Sequence, residues 1–320
     1  MHLNERTLAN PRGQSPLRYP GGKACLTQFI TQLAQQNELI GGRYIELYAG
    51  GAGAALNLLY NNIFDRIHIN DYDYSIYSFW FSVLYQTDAF IKKIETTPIN
   101  LDEWHRQKEI FNRGRDNEQI DLGFATFFLN RTNRSGIIFK AGPIGGFEQT
   151  GNYLIDVRFN KLNLIERIEK IGNYADRINL TNEDATEVIS NIQHYTNDLN
   201  NSFLYLDPPY YNKGKQLYLN NYGHDGHESL AQQVYRLPQN LRWLISYDNV
   251  EQIKRIYRDY RLAKFDLNYT LQSKKFGSEL LIFSDNLNLG KEITVNGRSS
   301  DLTIFRYLQE NEPANPIHIA

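Results

Sequence analysis

The run LDPPYY, from Leu206 to Tyr211, places a carboxylate, two prolines and aromatic rings directly after an apolar segment. One reaction that such groups could assist is alkylation of an exocyclic amine, such as that of adenine. This amine is a poor nucleophile because its lone pair is delocalised into the ring, and hydrogen-bond acceptors on its two hydrogens make the nitrogen more tetrahedral. Asp207 and the carbonyl of Pro208 are candidate acceptors, and the prolines, Pro208 and Pro209, fix the loop beforehand. Tyr210 is a candidate for stacking on the base. The alternative is a rigid turn with a capping acid.

A second candidate site is the run ELYAGGAG, from Glu46 to Gly53, where glycines follow a strand and allow the backbone to approach a ligand closely. The alternative for this run is a tight turn without a ligand. Asp71 follows about 20 residues later, a spacing at which an acid can hydrogen-bond the ribose hydroxyls of an adenosine. The spacing suits both NAD and S-adenosylmethionine. Because Glu46 would repel phosphates but can hold a methionine ammonium group, S-adenosylmethionine is the favoured cofactor.

The elements that must position these residues alternate along the chain. Short apolar runs predict strands at 43–48, 66–70, 178–182, 202–207, 242–247 and 279–284. Apolar positions at three- and four-residue spacing predict helices at 26–36, 54–60, 185–195, 228–235 and 250–259. This order predicts an α/β doubly wound sheet whose ligands lie at the carboxyl ends of the strands, where Asp71 and Asp207 both fall.

The alternation stops between residues 87 and 174, where helical patterns at 101–111 and 122–130 precede a glycine-rich loop. We therefore predict an inserted subdomain at 87–174 within a catalytic domain made of 1–86 and 175–320.

Composition limits the classes of function. The net charge of −2 excludes a polycationic protein, so nucleic-acid binding would depend on local basic patches, while 22 Tyr and 17 Phe offer stacking surfaces. Cys25 is the single cysteine and is interpreted as a packing residue, and no histidine and carboxylate set has metal-ligand spacing. The sequence shows no signal peptide and no apolar run long enough for a membrane span, so we expect a soluble, cytoplasmic protein without a metal.

Six motifs follow one another in the order seen in a known enzyme family: LRYPGGK, ELYAGGAG, IND, FFLNRTNRSGI, LDPPYY and SELLIFS. From Leu17 to Asp285 the chain resembles the Dam-like DNA adenine-N6 methyltransferases, the D12 class or α-group. The resemblance implies a Rossmann-like class I methyltransferase sheet with a helical and hairpin insertion that recognises the DNA target. It also implies residues that bind the cofactor, with Asp207 touching both cofactor and adenine: Tyr19, Lys23, Glu46, Tyr48, Gly50, Asp71, Asp184 and Asp207.

Three positions depart from the family pattern or allow two interpretations. Leu47 stands where the family usually has proline, and Tyr48 replaces phenylalanine; both changes keep an apolar strand end. Asp184 lies where the family often places an acid near the adenine rings, but it could equally cap the helix that starts at Ala185.

The candidate DNA contacts lie in local basic stretches. The segment from Ala125 to Phe147 contains no acid, and its candidates for phosphate or base contacts are Arg131, Asn133, Arg134 and Lys140. Lys274 and Lys275 are candidates from a second basic stretch, which runs from Lys254 to Lys275. The alternative is that these charges only solvate loops. Lys213, Lys215 and Tyr222 predict a loop that closes over the base, and His224 and His227 are interpreted as exposed histidines of that loop.

The sequence therefore predicts a site-specific methyltransferase acting on N6 of a flipped adenine in double-stranded DNA, with a restriction endonuclease as a possible partner. An RNA adenine methyltransferase could use the same four-residue loop. A catalytically silent DNA-binding relative is a further alternative, against which the intact run from Asp207 to Tyr210 argues.

Overall fold

The computed structural model describes residues 14–19, 21–211, 222–271, 273–290, 293–295, 298–300 and 304–305. For residues 265–278 and for the last three strands only the backbone is described. The chain forms two compact units. The first comprises Met1–Ala24, Ala49–Asn57 and His68–Glu183, and the second comprises Cys25–Tyr48, Leu58–Ile67 and Asp184–Ala320.

The described strands, numbered along the chain, are β1 (Gly42–Glu46), β2 (Phe64–Asn70), β3 (Ile178–Thr181), β4 (Ser202–Leu206), β5 (Arg242–Asp248), β6 (Arg261–Leu271), β7 (Ser273–Phe283), β8 (Ile293–Val295), β9 (Arg298–Ser300) and β10 (Ile304–Phe305). The described α-helices are α1 (Thr27–Gln36), α2 (Gly53–Tyr60), α3 (Tyr74–Tyr85), α4 (Thr87–Thr96), α5 (Leu101–Arg113), α6 (Gln119–Thr132), α7 (Lys161–Gly172), α8 (Ala185–Ser190), α9 (His224–Tyr235) and α10 (Glu251–Ile256).

The second unit is built on a mixed sheet with the strand order β10-β6-β7-β5-β4-β1-β2. Strands β1, β4 and β5 run parallel, whereas β7 is antiparallel to both β5 and β6. Successive side chains of a strand point to opposite faces, and both faces of this sheet are buried. On one face the rings of Tyr44 and Phe203 stack with centroids 6.2 Å apart. On the other, Ile45 and Leu204 belong to the apolar core under α8 and α9.

Helices and an aromatic core dominate the first unit. Phe79 of α3 stacks on Phe127 of α6 with centroids 5.9 Å apart, and Phe90 of α4 meets both rings edge-on. Helix α6 can approach α3 closely because it carries Gly123, at which a Cβ would lie 2.5 Å from the carbonyl oxygen of Ser78. The predicted insertion, residues 87–174, lies entirely within this unit.

Capping side chains fix where several helices of the first unit begin. Asp73 accepts a hydrogen bond from the backbone of Ser75 at the start of α3, and Asn100 does the same for Glu103 at the start of α5. Each carboxylate or amide oxygen satisfies a backbone donor that a helix leaves unpaired at its first turn. The same end of β2 that leads into α3 pairs with β3.

The predicted Rossmann-like α/β class is confirmed, and each of the six predicted strands exists. Two predicted helices are shorter than expected: α8 ends at Ser190 rather than Tyr195, because Ile192–His194 forms a separate 3-10 turn, and α10 covers only 251–256. Strand β6 was not predicted, because its basic residues were interpreted as part of a DNA-binding stretch. No helix in the described ranges is both long and apolar enough to cross a membrane.

Candidate active site

The glycine turn after β1 holds three predicted cofactor residues of the first unit together. Gly50 has φ 47°, and a Cβ there would lie 2.6 Å from the ring of Tyr19, so only glycine allows this ring to cover the turn. The backbone N–H of Gly50 donates to Asp71 at 2.8 Å, and its carbonyl accepts from the buried Trp80 indole at 2.9 Å. Both backbone polar groups of Gly50 are thus hydrogen-bonded, which fixes the turn. Lys23, also predicted, is buried and donates to the carbonyl of Gly21.

Asp71 follows the last residue of β2, and each of its carboxylate oxygens accepts a backbone N–H. Gly50 donates to one oxygen, and Asp73 donates to the other at 2.9 Å. Burial raises the pKa of Asp71 to about 7; the charge of Asp73 adds to this rise, and the two backbone hydrogen bonds oppose it. The carboxylate is therefore held rigidly, and its ionisation changes near neutral pH.

Side-chain amides tie the chain around Asp71 to the end of β3. The amide of Asn182 donates to the carbonyl of Asp71 at 2.7 Å, and Asn70 exchanges hydrogen bonds with the backbone of Glu183. These contacts fix the loop that follows β2. The sequence reasoning missed Asn70 and Asn182, although two asparagines at the ends of adjacent apolar strands are a detectable signal.

Asp184, for which two interpretations were open, caps α8 in the second unit. One of its carboxylate oxygens accepts from the backbone N–H of Thr186 at 2.8 Å and from the Thr186 hydroxyl at 2.5 Å. The capping interpretation is confirmed. A contact between Asp184 and a cofactor stays a prediction.

Asp207 follows β4 in the second unit and is held by a relay of hydroxyl groups. The hydroxyl of Ser246 on β5 donates to Asp207 at 2.7 Å, and the hydroxyl groups of Tyr205 and Ser246 are also 2.7 Å apart. Tyr205 and Ser246 are completely buried, while Asp207 is half-buried. The relay therefore orients a partly accessible carboxylate from the interior of the sheet.

The remainder of the LDPPYY run is fixed by acids from the neighbouring strands. The hydroxyl of Tyr210 donates to Glu279 of β7, a carboxylate that is only 2% exposed. The backbone N–H of Tyr211 donates to Asp248, at the end of β5, at 2.9 Å. Pro208 is buried, and Pro209 is half-buried. The ring of Tyr210 consequently has a defined orientation.

Three of these supporting residues, Ser246, Asp248 and Glu279, received no role in the sequence analysis. Each lies on a strand that the sequence predicts or at its end. The signal was available: a serine or a glutamate inside a buried apolar strand needs a polar partner. The identity of that partner depends on the order of strands β4, β5 and β7, which local patterns do not specify.

Glu46 and Tyr48, both predicted to bind the cofactor, flank the end of β1. Glu46 is buried, and after burial itself its charge is the largest cause that raises the pKa of the buried Tyr44 well above its ordinary range. The charge of Asp207 also contributes to that rise. The Tyr48 and Tyr222 hydroxyls are 2.9 Å apart, and their rings meet edge-on.

The interpretation of His227 as an exposed loop histidine is wrong. His227 lies on α9, is 1% exposed, and has Nδ1 3.0 Å from the hydroxyl of Tyr247. Burial lowers the pKa of His227 to about 4; the charge of Asp248 opposes this decrease, and the charge of His224 adds to it. It is therefore uncharged at neutral pH. His224, at the start of the same helix, is exposed, and its Nδ1 lies 3.1 Å from the Tyr211 hydroxyl.

Of the predicted DNA contacts in the first unit, some side chains are exposed, whereas others are at least half-buried and form hydrogen bonds within the unit. Arg134 and Lys140 are exposed. Asn133 is fully buried: its amide oxygen accepts from the indole of Trp104 at 2.7 Å and its amide nitrogen donates to the carbonyl of Ile137 at 2.9 Å. Its backbone forms an isolated bridge with Pro143, which bends the glycine-rich loop back on itself. Arg131 is half-buried, and its Nε donates to the carbonyl of Arg158 at 2.7 Å.

Some of the predictions lie outside the described residues. These are Lys213 and Lys215, together with the side chains of Lys274 and Lys275, whose backbone belongs to β7. Within the described ranges, no group of three or more histidine, cysteine, aspartate or glutamate side chains is arranged to hold a metal ion.

Comparison with known proteins identifies similar chains. The family model described as D12 class N6 adenine-specific DNA methyltransferase matches residues 19–271. The modification methylase StsI of Streptococcus sanguinis is 22% identical over an alignment of 219 residues, and the match covers 63% of this chain and 30% of that protein. This chain thus covers less than a third of the curated relative that it matches.

Among solved structures, similarity is lower. TrmN from Thermus thermophilus is 10% identical with a TM-score of 0.34, over 79% of this chain and 48% of that one. The rRNA methyltransferase aviRa from Streptomyces viridochromogenes is 11% identical with a TM-score of 0.34, over 88% and 90%. M. capricolum TrmK, in complex with S-adenosyl-homocysteine, is 9% identical with a TM-score of 0.31, over 80% and 69%.

Proposed function

Because the chain belongs to the D12 class N6 adenine-specific DNA methyltransferase family, we propose that it transfers a methyl group from S-adenosylmethionine to N6 of an adenine in duplex DNA. The main support for this proposal is that hydrogen bonds from neighbouring strands hold the Asp-Pro-Pro-Tyr run in place. Ser246 holds the carboxylate of Asp207, and Glu279 holds the hydroxyl of Tyr210. Groups that are oriented before the substrate arrives need no reorganisation during the reaction, which is how an enzyme site lowers a barrier.

The residues around the glycine turn fit the adenosine part of this cofactor. When bound, S-adenosylmethionine supplies a methyl group on a positively charged sulfur. Asp71 presents a rigid acceptor for ribose hydroxyls, and the ring of Tyr19, another predicted cofactor residue, packs against Gly50 beside it. We assign Glu46 to the methionine ammonium group, and the remaining predicted cofactor contacts are Tyr19, Lys23, Tyr48, Asp184 and Asp207.

The chemistry at the target nitrogen follows from acceptor placement. Asp207 accepts one N6 hydrogen and the carbonyl of Pro208 accepts the other, so that the nitrogen lone pair is drawn out of the adenine ring system. Transfer of the methyl group would break its bond to sulfur, which would keep the electron pair, as the new N–C bond forms, and N6 would become positively charged. One N–H bond then breaks, its electrons return to nitrogen, and the proton leaves through Asp207 to solvent. Pro209 keeps the two acceptors at a fixed separation.

The adenine must leave the duplex before this chemistry is possible, since its N6 is otherwise paired inside the helix. We propose that Tyr210 stacks on the flipped base. Its hydroxyl bond to Glu279 sets the angle of the ring, so Glu279 is a positioning residue rather than a catalytic one.

We further propose that the insertion at 87–174 recognises the DNA target. The exposed charges of Arg134 and Lys140 support this role. For Asn133, burial and its hydrogen bonds to Trp104 and Ile137 favour a structural role, in which it holds the loop that carries these charges. Lys274 and Lys275 remain proposed phosphate contacts.

The name of the Streptococcus sanguinis relative, a modification methylase, supports a role in restriction and modification. We propose that a restriction endonuclease which recognises the same sequence is the partner of this chain. DNA methylated by the chain should then resist that endonuclease, whereas untreated DNA should be cut.

A labelled-cofactor assay tests the proposed function. The chain is incubated with S-adenosylmethionine labelled on the methyl group and with either duplex DNA or structured RNA. We expect label in DNA. Label only in RNA would show an RNA methyltransferase, and binding of DNA without any label would show a silent DNA-binding protein.

A further inference from the structure

Hydrogen bonds and charge interactions link four arginines of the first unit at the short segment Ser15–Arg18, which precedes Tyr19, a predicted cofactor residue. Arg131 donates from Nη1 to the carbonyl of Pro16 at 3.5 Å, and Arg167 donates to the carbonyl of Ser15 at 3.0 Å. Arg18 donates to the carbonyl of Asn133 at 3.3 Å. The fourth arginine, Arg158, takes part in these hydrogen bonds only through its backbone carbonyl, which accepts a hydrogen bond from Nε of Arg131. We call Arg18, Arg131, Arg158 and Arg167 the arginine cluster.

The arginine cluster has no counter-charge in the part of the chain that is described. No carboxylate there lies within 4.0 Å of any of the four guanidinium groups. Burial, followed by the charges of Arg18, Arg167 and Arg158, lowers the pKa of Arg131 to about 9. Partly buried charges are normally paired. Here like charges are held together instead, so a bound anion would relieve their repulsion.

The cluster also retains hydrogen-bond donors. A guanidinium group has five N–H donors, and Arg131 uses two of its nitrogens while Arg18 and Arg167 each use one in the contacts above. The side chain of Arg158 makes no hydrogen bond to any described residue, and Arg158 is exposed. Solvent can therefore reach the cluster at Arg158.

We propose that the arginine cluster binds phosphate groups of the DNA backbone. This inference rests on the proposed function, because it takes duplex DNA as the ligand. A phosphate diester matches the forked donors of arginine. The location supports DNA over a small anion. Arg131 lies in the last turn of α6, which leads directly into the loop of Arg134 and Lys140, so several charges lie along one stretch of chain. The net charge of −2 shows that this concentration of positive charge is local.

The salt dependence of DNA binding tests the cluster. Each lost phosphate contact should reduce the slope of log K against log salt concentration by about 0.9. We expect this reduction in Arg158→Gln and in Arg167→Gln, with affinity lowered about equally for cognate and unrelated duplexes. Arg106→Gln is the matched control, since Arg106 lies in the same unit but 3.7 Å from the carboxylate of Glu103, and its slope should equal that of the wild type.

Arg158→Gln separates phosphate binding from a purely structural role, because the Arg158 side chain supports no described contact. Unchanged slopes in both Arg158→Gln and Arg167→Gln would overturn the proposal. It would also be overturned if inorganic phosphate raised the melting temperature of the wild type but not of Arg158→Gln while the DNA slopes stayed equal, since that would indicate a small-anion site.

A methylation assay on the same proteins keeps the two proposals apart. If the wild type transfers no methyl group to DNA but both variants lose slope, the proposed function fails and the cluster stands. If the wild type methylates DNA and neither variant loses slope, the cluster fails and the proposed function stands.

Discussion

Asp71 and Asp207 are both half-buried acids that follow buried strands, yet the two units hold them by different means. Backbone N–H groups, of Gly50 and Asp73, hold Asp71. Asp207 is held by a side-chain relay, from Tyr205 through Ser246. The difference shows which of these hydrogen bonds an amino-acid substitution can remove. A backbone donor persists whatever side chain its residue carries, whereas a hydroxyl relay is lost with one atom.

The two modes of support fit the two proposed ligands. A cofactor is the same molecule in every turnover, so a rigid backbone cradle suits it. The target amine changes shape during the reaction, and a carboxylate oriented through hydroxyl groups can keep its hydrogen bond as the nitrogen becomes tetrahedral. The predictions below test this contrast.

The largest effect is expected for Asp207→Ala. Removal of the acceptor leaves the N6 lone pair delocalised, so kcat should fall by about 10³-fold while cofactor binding at Asp71 persists. Steady-state methylation of duplex DNA measures kcat, and circular dichroism checks the fold. Asp88→Ala, which removes an exposed acid from α4, is the control. Turnover in Asp207→Ala equal to that of the control would contradict the proposed chemistry.

The next largest effect is expected for Tyr210→Ala, which removes the stacking ring. We expect kcat/KM to fall by about 10²-fold, because the flipped base loses its aromatic contact. The fluorescence of 2-aminopurine at the target position reports base flipping and should rise less on binding than with the wild type. Tyr210→Phe keeps the ring and loses only the hydrogen bond to Glu279 that orients it, so its fluorescence change should fall between those of the wild type and Tyr210→Ala. Equal losses in both variants would assign the effect to the hydroxyl.

An intermediate effect is expected for Ser246→Ala, which breaks the relay to Asp207. We expect kcat to fall about tenfold, which corresponds to about 1.5 kcal/mol, the lower end of what one hydrogen bond to a charged group contributes; the KM for the cofactor should change less than kcat. Ser246→Thr keeps the hydroxyl and should recover much of the rate. A change in cofactor KM alone would show that the relay serves the cofactor, and the contrast between the two acids would then be wrong.

The smallest effect is a pH dependence of cofactor binding through Asp71. The pKa of about 7 means that the carboxylate is ionised above neutral pH and protonated below it. Two acceptor oxygens are available to ribose only in the ionised form, so affinity should rise with pH, by about threefold between pH 6.5 and 7.5. Titration calorimetry with S-adenosylmethionine measures this dependence. Asp71→Asn should bind more weakly and show a flat profile through neutral pH; a profile as steep as that of the wild type would exclude Asp71 as its source.

His227 does not contribute to that profile. Its pKa of about 4 lies below the titrated range, because the ring is buried against Tyr247.

Local pattern predicted the strands and the acids at their ends. Asp71 and Asp207 could be found because short apolar runs mark buried parallel strands, and Gly50 because a tight turn needs its positive φ. The resemblance to a known family added the cofactor and the target base. These features depend on residues within one stretch of chain.

Long-range partners could not be predicted in this way. The contact between Tyr210 and Glu279 joins residues 69 positions apart, and its existence depends on β7 lying antiparallel beside β5. His227 was misread because its loop-like flanking sequence hides the start of α9. Arg131 was interpreted as a single contact, and only the fold brings it near Arg18, Arg158 and Arg167.

The most direct test of the central claim is to sequence methylation in DNA from cells that express the wild type or Asp207→Ala. We predict N6-methyladenine within one recognition sequence in cells with the wild type and none above background with the variant. Methylation of another base or atom, or equal adenine methylation with Asp207→Ala, would contradict the assignment of Asp207 as the acceptor that activates the adenine amine.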